Sequence, residues 1–392
     1  MEALSIGVVG AGIGGLAAAL VLARQGHAVT LIERRGGFTE VGAGLQLSPN
    51  ASRVLIGLGL GPALRRVASE PDRVVVRDAR AGETIATVAL GAFVRERFGA
   101  PFWVVHRADL QTVLLDAVRS EPRVRLVMGR KVDTIAQTPR AVSLTLTTAS
   151  GQTEPAFDAV VGADGVWSEM RRAVGDHRPA AYRGYVAWRA AIPRERAPPE
   201  LAANETGLWL GRSGHVVHYP VAGGRLLNIV AIERRADPVE GWSTPGDRAT
   251  LLARFAQAAP RLRDLLAAPD GWLLWPLYDH PARRLAKGRI ALVGDAGHPV
   301  LPFLAQGAAL AIEDAAALAR SLSGHAAPEE ALRAYERERL PRVRRVQRAA
   351  RRNGRIYHAG ALIAAARNAV MRRLGPQGMA TRYAWLYGYG QP

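Results

Sequence analysis

The start of the chain alternates between short and long apolar segments. Residues 4–9 and 28–32 are short apolar runs, and between them a glycine-rich turn leads into a longer Ala/Leu-rich segment that ends near Gln25. Short apolar runs are typical of buried strands, whereas longer ones of at least ~10 residues are typical of helices. The pattern therefore predicts a βαβ unit.

The pattern that follows predicts further strands and helices of the same type. Ser48 and Pro49 form a favourable helix start, because Ser caps a helix and Pro suits its first turn. Helices are predicted over 48–58 and 107–119, and strands over 73–78, 84–90, 124–128, 141–147 and 157–162.

Residues 180–279 have a different pattern, with long alternating strands that carry tryptophan and tyrosine. A hairpin is predicted where residues 215–221 and 225–233 flank Gly223 and Gly224. The first pattern then returns, with a strand over 289–293 and a helix over 306–322.

We therefore predict an α/β fold in which a Rossmann-type nucleotide domain is interrupted by a mixed β-sheet substrate domain and followed by C-terminal helices. The predicted boundaries are 1–72, 101–179 and 281–325 for the nucleotide domain, 73–100 and 180–280 for the inserted domain, and 326–392 for the helical region.

Composition excludes several classes of protein. The 392 residues include no cysteine, which excludes a disulfide framework, a thiolate nucleophile and a Cys-ligated metal site. The nine histidines lack metal-binding spacing, so we expect no metal. Because no uninterrupted apolar stretch reaches ~18 residues and the start lacks a signal-peptide pattern, we expect a soluble, cytoplasmic protein without stable membrane insertion.

The chain is basic, with 52 Lys and Arg against 34 Asp and Glu and a net charge of +18. The densest part, residues 333–355, carries its arginines on a helical pattern that also has an apolar stripe. We interpret it as the solvated face of a packed helix and expect no nucleic-acid partner. The alternative is a basic binding protein with a vestigial nucleotide fold, which predicts nucleic-acid binding with steep salt dependence.

A glycine motif follows the first predicted strand and opens the first predicted helix. It consists of Gly10, Ala11, Gly12, Ile13, Gly14 and Gly15. We expect Gly10 to make the tight turn, Gly12 to let the backbone approach a pyrophosphate and Gly15 to allow close helix packing. Glu33, after the next strand, can accept hydrogen bonds from ribose hydroxyls. The spacing predicts a dinucleotide site, but it does not choose between FAD and NAD.

Three later segments favour FAD. They are residues 106–110 (HRADL), 158–171 (DAVVGADGVWSEMR) and 294–299 (GDAGHP). With the glycine motif, they resemble the signatures of the single-component FAD-dependent aromatic hydroxylases, the flavoprotein monooxygenases of the para-hydroxybenzoate hydroxylase fold. The resemblance covers essentially the whole chain and is closest to the salicylate, 3-hydroxybenzoate and 6-hydroxynicotinate hydroxylases.

The resemblance implies a non-covalent FAD site. Asp295 would bind ribityl hydroxyls, Arg107 would bind the pyrophosphate, and Asp164 would assist both the pyrophosphate and NAD(P)H. Free N–H groups at the start of the last predicted helix would face the flavin N1–C2=O edge. The predicted set is Gly10, Gly12, Ile13, Gly14, Gly15, Glu33, Arg34, Arg107, Asp164, Asp295, Gln306, Gly307 and Ala308.

His215 and Tyr219 are the predicted substrate residues, together with the carbonyl of Pro302. In an alternating strand, residues 215 and 219 share one face about 13 Å apart, so they could bracket an aromatic ring. A histidine poised near neutral pH suits deprotonation of a phenol. The alternative is a hydrogen-bonded core histidine beside a packing tyrosine. Phe303 departs from relatives that carry a polar residue at that position.

The resemblance implies that NADH or NADPH reduces FAD and that O2 then forms a flavin C4a-hydroperoxide, which hydroxylates a phenolic, carboxylated substrate. Two alternatives are open: an oxygenase of the same fold that acts on a larger polyketide-like or isoprenoid substrate, and a flavin reductase or dehydrogenase without oxygen insertion. We expect a monomer or a homodimer.

Overall fold

The structure is a computed structural model that describes residues 3–38, 43–148, 151–212, 214–241 and 243–391. Its strands are β1 (Ser5–Val9), β2 (Ala28–Ile32), β3 (Gly44–Leu47), β4 (Arg73–Asp78), β5 (Thr84–Ala89), β6 (Trp103–His106), β7 (Val124–Val127), β8 (Lys131–Gln137), β9 (Val142–Thr148), β10 (Gly151–Thr153), β11 (Ala156–Phe157), β12 (Ala159–Gly162), β13 (Ala181–Pro193), β14 (Thr206–Leu210), β15 (Gly214–Val221), β16 (Leu226–Arg234), β17 (Thr244–Gly246), β18 (Trp272–Asp279), β19 (Ala286–Lys287) and β20 (Ile290–Leu292). Its α-helices are α1 (Ile13–Arg24), α2 (Pro49–Gly57), α3 (Gly61–Val67), α4 (Gly91–Phe98), α5 (Arg107–Arg119), α6 (Met170–Ala173), α7 (Arg248–Arg254), α8 (Pro260–Ala267), α9 (Gly307–Ser323), α10 (Pro328–Tyr357), α11 (Ala361–Thr381) and α12 (Ala384–Tyr387).

The chain divides into two compact units, each made of three segments. The first unit comprises Met1–Glu40, Gln111–Ala181 and Tyr278–Ala349, and the second comprises Val41–Leu110, Tyr182–Leu277 and Ala350–Pro392. None of the helices within the described residues is long and apolar enough to span a membrane.

The first unit contains a six-stranded sheet with the order β19-β20-β12-β1-β2-β7. β1 pairs in parallel with β12 on one side and with β2 on the other. Ile6 and Val8 of β1 are fully buried, as expected for a strand whose sheet is covered on both faces. Helix α1 connects β1 to β2, and these three elements form the predicted βαβ unit. The same helix packs against α9.

A buried ionic network joins α9 to α10 in the first unit. Arg339 donates to Asp314 from Nε at 2.7 Å and to Glu313 from Nη1 at 2.7 Å. Arg342 donates to the other oxygen of Glu313 at 2.8 Å. All four side chains are buried, so each charge depends on its partners to offset the loss of hydration.

The same network fixes the segment that follows β20. Asp314 accepts a hydrogen bond from the Gly294 N–H at 2.9 Å and another from His298 Nε2 at 2.5 Å. Burial alone would raise the pKa of Asp314, but His298, Arg339 and these hydrogen bonds lower that pKa to about 2. Asp314 is therefore ionised at neutral pH and holds the loop after β20 against α9.

The second unit contains an eight-stranded sheet with the order β17-β18-β13-β16-β15-β14-β4-β5. The sheet is mixed, because β14 pairs in parallel with β4 and in antiparallel with β15. One face packs against α7 and α8 through a core that includes Trp188, Trp209 and Val216. Residues 215 and 219 lie on the opposite face, because side chains alternate along β15.

These elements confirm the predicted α/β class with a mixed sheet and C-terminal helices. Within residues 180–280, where the sequence suggested strands only, the structure adds helices α7 and α8. Both are short, and α8 presents Leu262, Leu265 and Leu266 to the core of its unit.

The boundaries of the two compact units differ from those of the predicted domains, because strand pairing groups some segments differently. Residues 41–72 and 101–110 group with the second unit, since β3 pairs with β6 and the Gly44 N–H donates to Asn228 at 2.7 Å. The predicted C-terminal region, 326–392, is divided after Ala349. Its first part joins the first unit through Arg339, and its last part joins the second through packing of α11 on β5.

We expect Arg339→Met to lower the free energy of unfolding by about 3–5 kcal/mol, because it leaves buried Asp314 without its arginine and Glu313 with Arg342 alone. The measurement is the urea midpoint followed by far-UV circular dichroism. Arg320→Met is the matched control: its ion pair with Glu338 is exposed, with side chains 56% and 37% accessible, and its loss should cost only ~0–1 kcal/mol. Equal midpoints for the two variants would contradict the assignment.

Candidate functional site

The glycine turn between β1 and α1 brings backbone atoms unusually close together. Gly10 has a φ of 103°, and a Cβ atom there would lie 2.5 Å from the Ala163 carbonyl oxygen. A Cβ at Gly15 would lie 1.8 Å from the Gly10 carbonyl oxygen. Neither position tolerates a side chain, because a Cβ at such distances overlaps the backbone.

Gly12 differs from these two glycines, because a Cβ built there meets no atom within 4 Å. Gly12 is the N-cap residue of α1, and no side chain caps the helix. The first-turn N–H groups of an uncapped helix attract anions, and the open space at Gly12 lets an anion reach them. This is the environment that a pyrophosphate requires.

Glu33 lies against the same turn. Its Oε2 accepts a hydrogen bond from the Ala11 N–H at 2.9 Å, and its Oε1 accepts one from the Arg35 N–H at 2.9 Å. A carboxylate has about four acceptor positions, so Glu33 can brace the turn and still accept from ribose hydroxyls. Arg34, the next residue, is exposed.

A further contact to this turn was not indicated by the sequence. The amide of Gln111 donates to the Ala11 carbonyl at 3.4 Å.

The segments around Asp164 and Asp295 are joined by Arg171. The Arg171 guanidinium donates to the carbonyls of Ala296 at 2.8 Å, Asp295 at 3.1 Å and Val166 at 3.1 Å. The Asp295 side chain is exposed, so its carboxylate is accessible to a ligand. Arg171 stands in one of the quoted motifs, yet its bracing role depends on contacts that the sequence alone does not show.

Asp164 has a structural role as well as the predicted one. Its Oδ2 accepts hydrogen bonds from the N–H groups of Glu169 at 2.8 Å and Met170 at 3.1 Å, which fixes the turn before α6. Its Oδ1 is buried without a partner among the described residues, and burial raises the Asp164 pKa. An orphaned oxygen of this kind marks a position where a ligand donor would be favourable.

Gln306, Gly307 and Ala308 stand at the start of α9, as the sequence indicated. Gln306 is the N-cap residue and no side chain caps the helix, so the first-turn N–H groups can face a ligand. Pro302 belongs to a short 3-10 turn, and its carbonyl accepts a hydrogen bond from the Ala305 N–H at 2.9 Å. One acceptor position of that carbonyl therefore stays available to a substrate hydroxyl.

These features of the first unit fit FAD. The open backbone at Gly12, the two uncapped helix starts and the carboxylates of Glu33 and Asp295 match a ligand with a pyrophosphate, a flavin carbonyl edge and sugar hydroxyls. Arg107, also predicted to bind the pyrophosphate, begins α5 in the second unit, where its N–H donates to the Ala43 carbonyl at 2.9 Å. Direct contact of these residues with FAD stays a prediction.

In the second unit, His215 is only 2% exposed and pairs with another histidine that the sequence did not indicate. His215 Nδ1 lies 2.9 Å from His358 Nε2, and the Tyr357 ring makes an edge contact with the His215 ring. Burial and the neighbouring His358 hold the pKa of His215 well below its usual range. The shift favours the neutral imidazole and departs from the near-neutral pKa expected of a base, and the catalytic role of His215 stays a prediction.

Tyr219 is 4% exposed and packs closely against Gly44. A Cβ at Gly44 would lie 2.5 Å from the Tyr219 ring and 2.7 Å from the Asn228 side chain. Burial raises the pKa of Tyr219, so its hydroxyl stays protonated and can donate a hydrogen bond at neutral pH. His218, between the two predicted residues, faces the other side of the sheet, beneath Gly207.

A family model described as "FAD binding domain" matches residues 3–350. The chain belongs to this FAD-binding family. It is 36% identical over 386 residues to a 3-hydroxybenzoate 6-hydroxylase from Klebsiella oxytoca, which covers 97% of this chain and 96% of that protein. It is 35% identical over 357 residues to a 6-hydroxynicotinate 3-monooxygenase from Bordetella bronchiseptica, with coverage of 89% and 91%.

Among solved structures, this FAD-binding protein is similar to a salicylate hydroxylase in a substrate complex. The TM-score is 0.83 at 27% sequence identity, with 99% of this chain and 96% of that chain covered. These relatives confirm the family resemblance and the FAD cofactor expected from the sequence. The protein is an FAD-dependent monooxygenase of the aromatic hydroxylase type.

We expect Gly12→Val to fold normally and to lose FAD, because its side chain enters open space that a pyrophosphate would otherwise fill. Gly15→Ala should instead lower the melting temperature, because its Cβ would overlap the Gly10 carbonyl. The flavin-to-protein absorbance ratio and thermal unfolding separate the two effects. Full flavin occupancy in Gly12→Val would show that the pyrophosphate does not approach this glycine.

Proposed function

We propose that this flavoenzyme hydroxylates a phenolic aromatic carboxylate, with NADH or NADPH as reductant and O2 as oxidant. In the balanced reaction NAD(P)H, a proton, O2 and the phenol give NAD(P)+, water and the hydroxylated phenol. The similar proteins are named for 3-hydroxybenzoate, 6-hydroxynicotinate and salicylate, each of which combines a hydroxyl and a carboxylate on one ring. A cytoplasmic location and a monomeric or homodimeric state stay predictions.

The observation that carries the proposal is the pair of polar side chains on one face of β15. His215 is neutral at the working pH and can accept a proton, whereas Tyr219 is protonated and can donate a hydrogen bond. A phenol whose proton is withdrawn becomes a better nucleophile, because negative charge enters its ring. The two side chains therefore supply the activation and the orientation that ring hydroxylation needs.

The His358 contact orients the His215 ring. With Nδ1 of His215 as the donor to His358 Nε2, the Nε2 atom of His215 is left to accept the phenol proton. Burial and the charge of Arg234 lower the pKa of His358 to about 4, so His358 does not store that proton. The proton would stay with His215 only until the hydroxylated ring regains it as a phenol.

The FAD-binding residues divide the remaining work in this proposal. FAD, once bound and reduced by NAD(P)H, supplies the chemistry that activates O2 and transfers one oxygen atom to the ring. In the first unit, Gly12, Glu33 and Asp295 would hold the cofactor, and the N–H groups at the start of α9 would stabilise negative charge on its ring. Arg107 stays a predicted ligand of the pyrophosphate. Pro302 stays a predicted acceptor for a substrate hydroxyl.

We expect 3-hydroxybenzoate, salicylate or 6-hydroxynicotinate to stimulate NAD(P)H oxidation and to yield one hydroxylated product per O2 consumed. The measurement combines NAD(P)H absorbance, an oxygen electrode and product chromatography. Stimulation with hydrogen peroxide as the sole product of O2 across the panel would favour a reductase. Turnover of larger phenols alone would favour a same-fold oxygenase for bulkier substrates.

We expect His215→Gln to reduce the rate of coupled hydroxylation by ~10²-fold, because glutamine can replace the hydrogen bond to His358 but cannot accept a proton. FAD content and the rate of flavin reduction should stay near the parental values, and hydrogen peroxide should increase. Tyr219→Phe, which loses one hydroxyl, should uncouple more mildly. Parental coupled turnover in His215→Gln would make this histidine a structural residue.

A further inference from the structure

Arg189 is a half-buried cation that lacks the carboxylate partner found for comparable arginines. It stands on β13, and its guanidinium lies over the Trp275 ring, 4.0 Å from the ring centroid. Its Nε atom is buried and makes no hydrogen bond within the described parts of the chain, and no ion pair to a described carboxylate is formed. Burial lowers the Arg189 pKa to about 10, so the side chain stays charged at neutral pH.

Other arginines in the second unit show how unusual this is. Arg77 pairs with Glu205 at 2.8 Å, and Arg254 pairs with Glu233 at 2.7 Å. A cation that is partly desolvated and has no anion beside it costs stability, and stacking on an aromatic ring offsets only part of that cost. A bound anion would supply the missing charge, and the stacked guanidinium would present its donor edges to it in a fixed plane.

Neighbouring donors on the same sheet face favour the same kind of ligand. Asn228 of β16 accepts from the Gly44 N–H through Oδ1, which leaves its Nδ2 as a donor, and that atom is buried without a partner among the described residues. Tyr219 stands directly opposite Asn228 across the β15–β16 pair. Arg189 pairs with Val230 across β13–β16, so it is a diagonal neighbour of Asn228, about 7–8 Å away.

The face thus presents a guanidinium, an amide N–H group and a phenolic hydroxyl, all of them donors. Arg107 adds a positive charge near enough to Arg189 to lower its pKa slightly. Carboxylate oxygens would accept from these donors, and the planar guanidinium fork matches the planar carboxylate.

We propose that Arg189, with Asn228 as a second donor, binds the carboxylate of the aromatic substrate and fixes the orientation of the ring beside His215 and Tyr219. The inference rests on the proposed function for the identity of the ligand. In this arrangement Arg189 determines specificity for aromatic acids over neutral phenols, while His215 and Tyr219 act on the hydroxyl. Anionic charge on the flavin is the other possible source, and the test separates the two.

The first experiment measures binding of benzoate and benzamide to the FAD-loaded protein through the change in flavin absorbance. Neither ligand has a ring hydroxyl, so the result does not depend on hydroxylation. Arg189→Met should weaken benzoate binding by at least ~30-fold and leave benzamide binding within about 3-fold, because only benzoate carries the charge. FAD content should be unchanged.

Arg97→Met is the matched control. Arg97 lies over the Phe98 ring, 5.9 Å from its centroid, as Arg189 lies over Trp275, but it is exposed on α4. Its replacement should leave the affinity for benzoate at the parental value. Asn228→Ala should weaken benzoate binding by a smaller factor than Arg189→Met, because it removes one neutral donor.

Three outcomes would overturn the proposal. Equal losses for benzoate and benzamide would mean that Arg189 shapes the site without binding charge, and loss of FAD from Arg189→Met would assign the arginine to the cofactor. Unchanged benzoate affinity would remove Arg189 from the site. If instead benzoate binding needs Arg189 while no aromatic acid in the panel is hydroxylated, the carboxylate site stands and the proposed function fails.

Discussion

The first unit depends on one buried carboxylate, Asp314. It accepts from a backbone N–H of the loop after β20, from His298 and from Arg339 of α10. A buried anion of this kind is stable only while all its donors are in place, because each missing donor leaves part of the desolvation free energy uncompensated. The position of the exposed Asp295 carboxylate, one residue beyond Gly294, is therefore set by an interaction on the opposite side of its loop.

In the second unit, the two faces of the sheet have different roles. Its sheet separates a face filled by tryptophans and helices α7 and α8 from a face that carries His215, Tyr219 and Asn228. The filled face supplies the apolar burial that stabilises the unit, so the other face is free to carry polar side chains whose donors are incompletely satisfied. Such atoms cost stability and are retained where they serve a ligand.

The sequence predicted the βαβ unit, because its periodicity and its glycine spacing are local properties of the chain. It also predicted that residues 215 and 219 share a face, since strand alternation is local. It did not predict the His358 contact, which joins residues 143 positions apart, or the acidic shift in the His215 pKa that burial produces. The sequence did not indicate Arg189, because an arginine in an alternating strand is expected to face solvent unless its contacts are known. The division of the C-terminal helices between the units likewise depends on long-range packing.

Gly44 and Tyr219 restrict each other. A side chain at position 44 would overlap both the Tyr219 ring and the Asn228 amide, so glycine is required there as long as these two groups keep their positions. The energetic effects of substitutions at positions 44 and 219 should consequently be non-additive, with a small residue at 219 relieving part of the harm of alanine at 44. A library that adapts this face to bulkier ring systems should therefore vary the two positions together, because the effect of a side chain at 44 depends on the residue at 219.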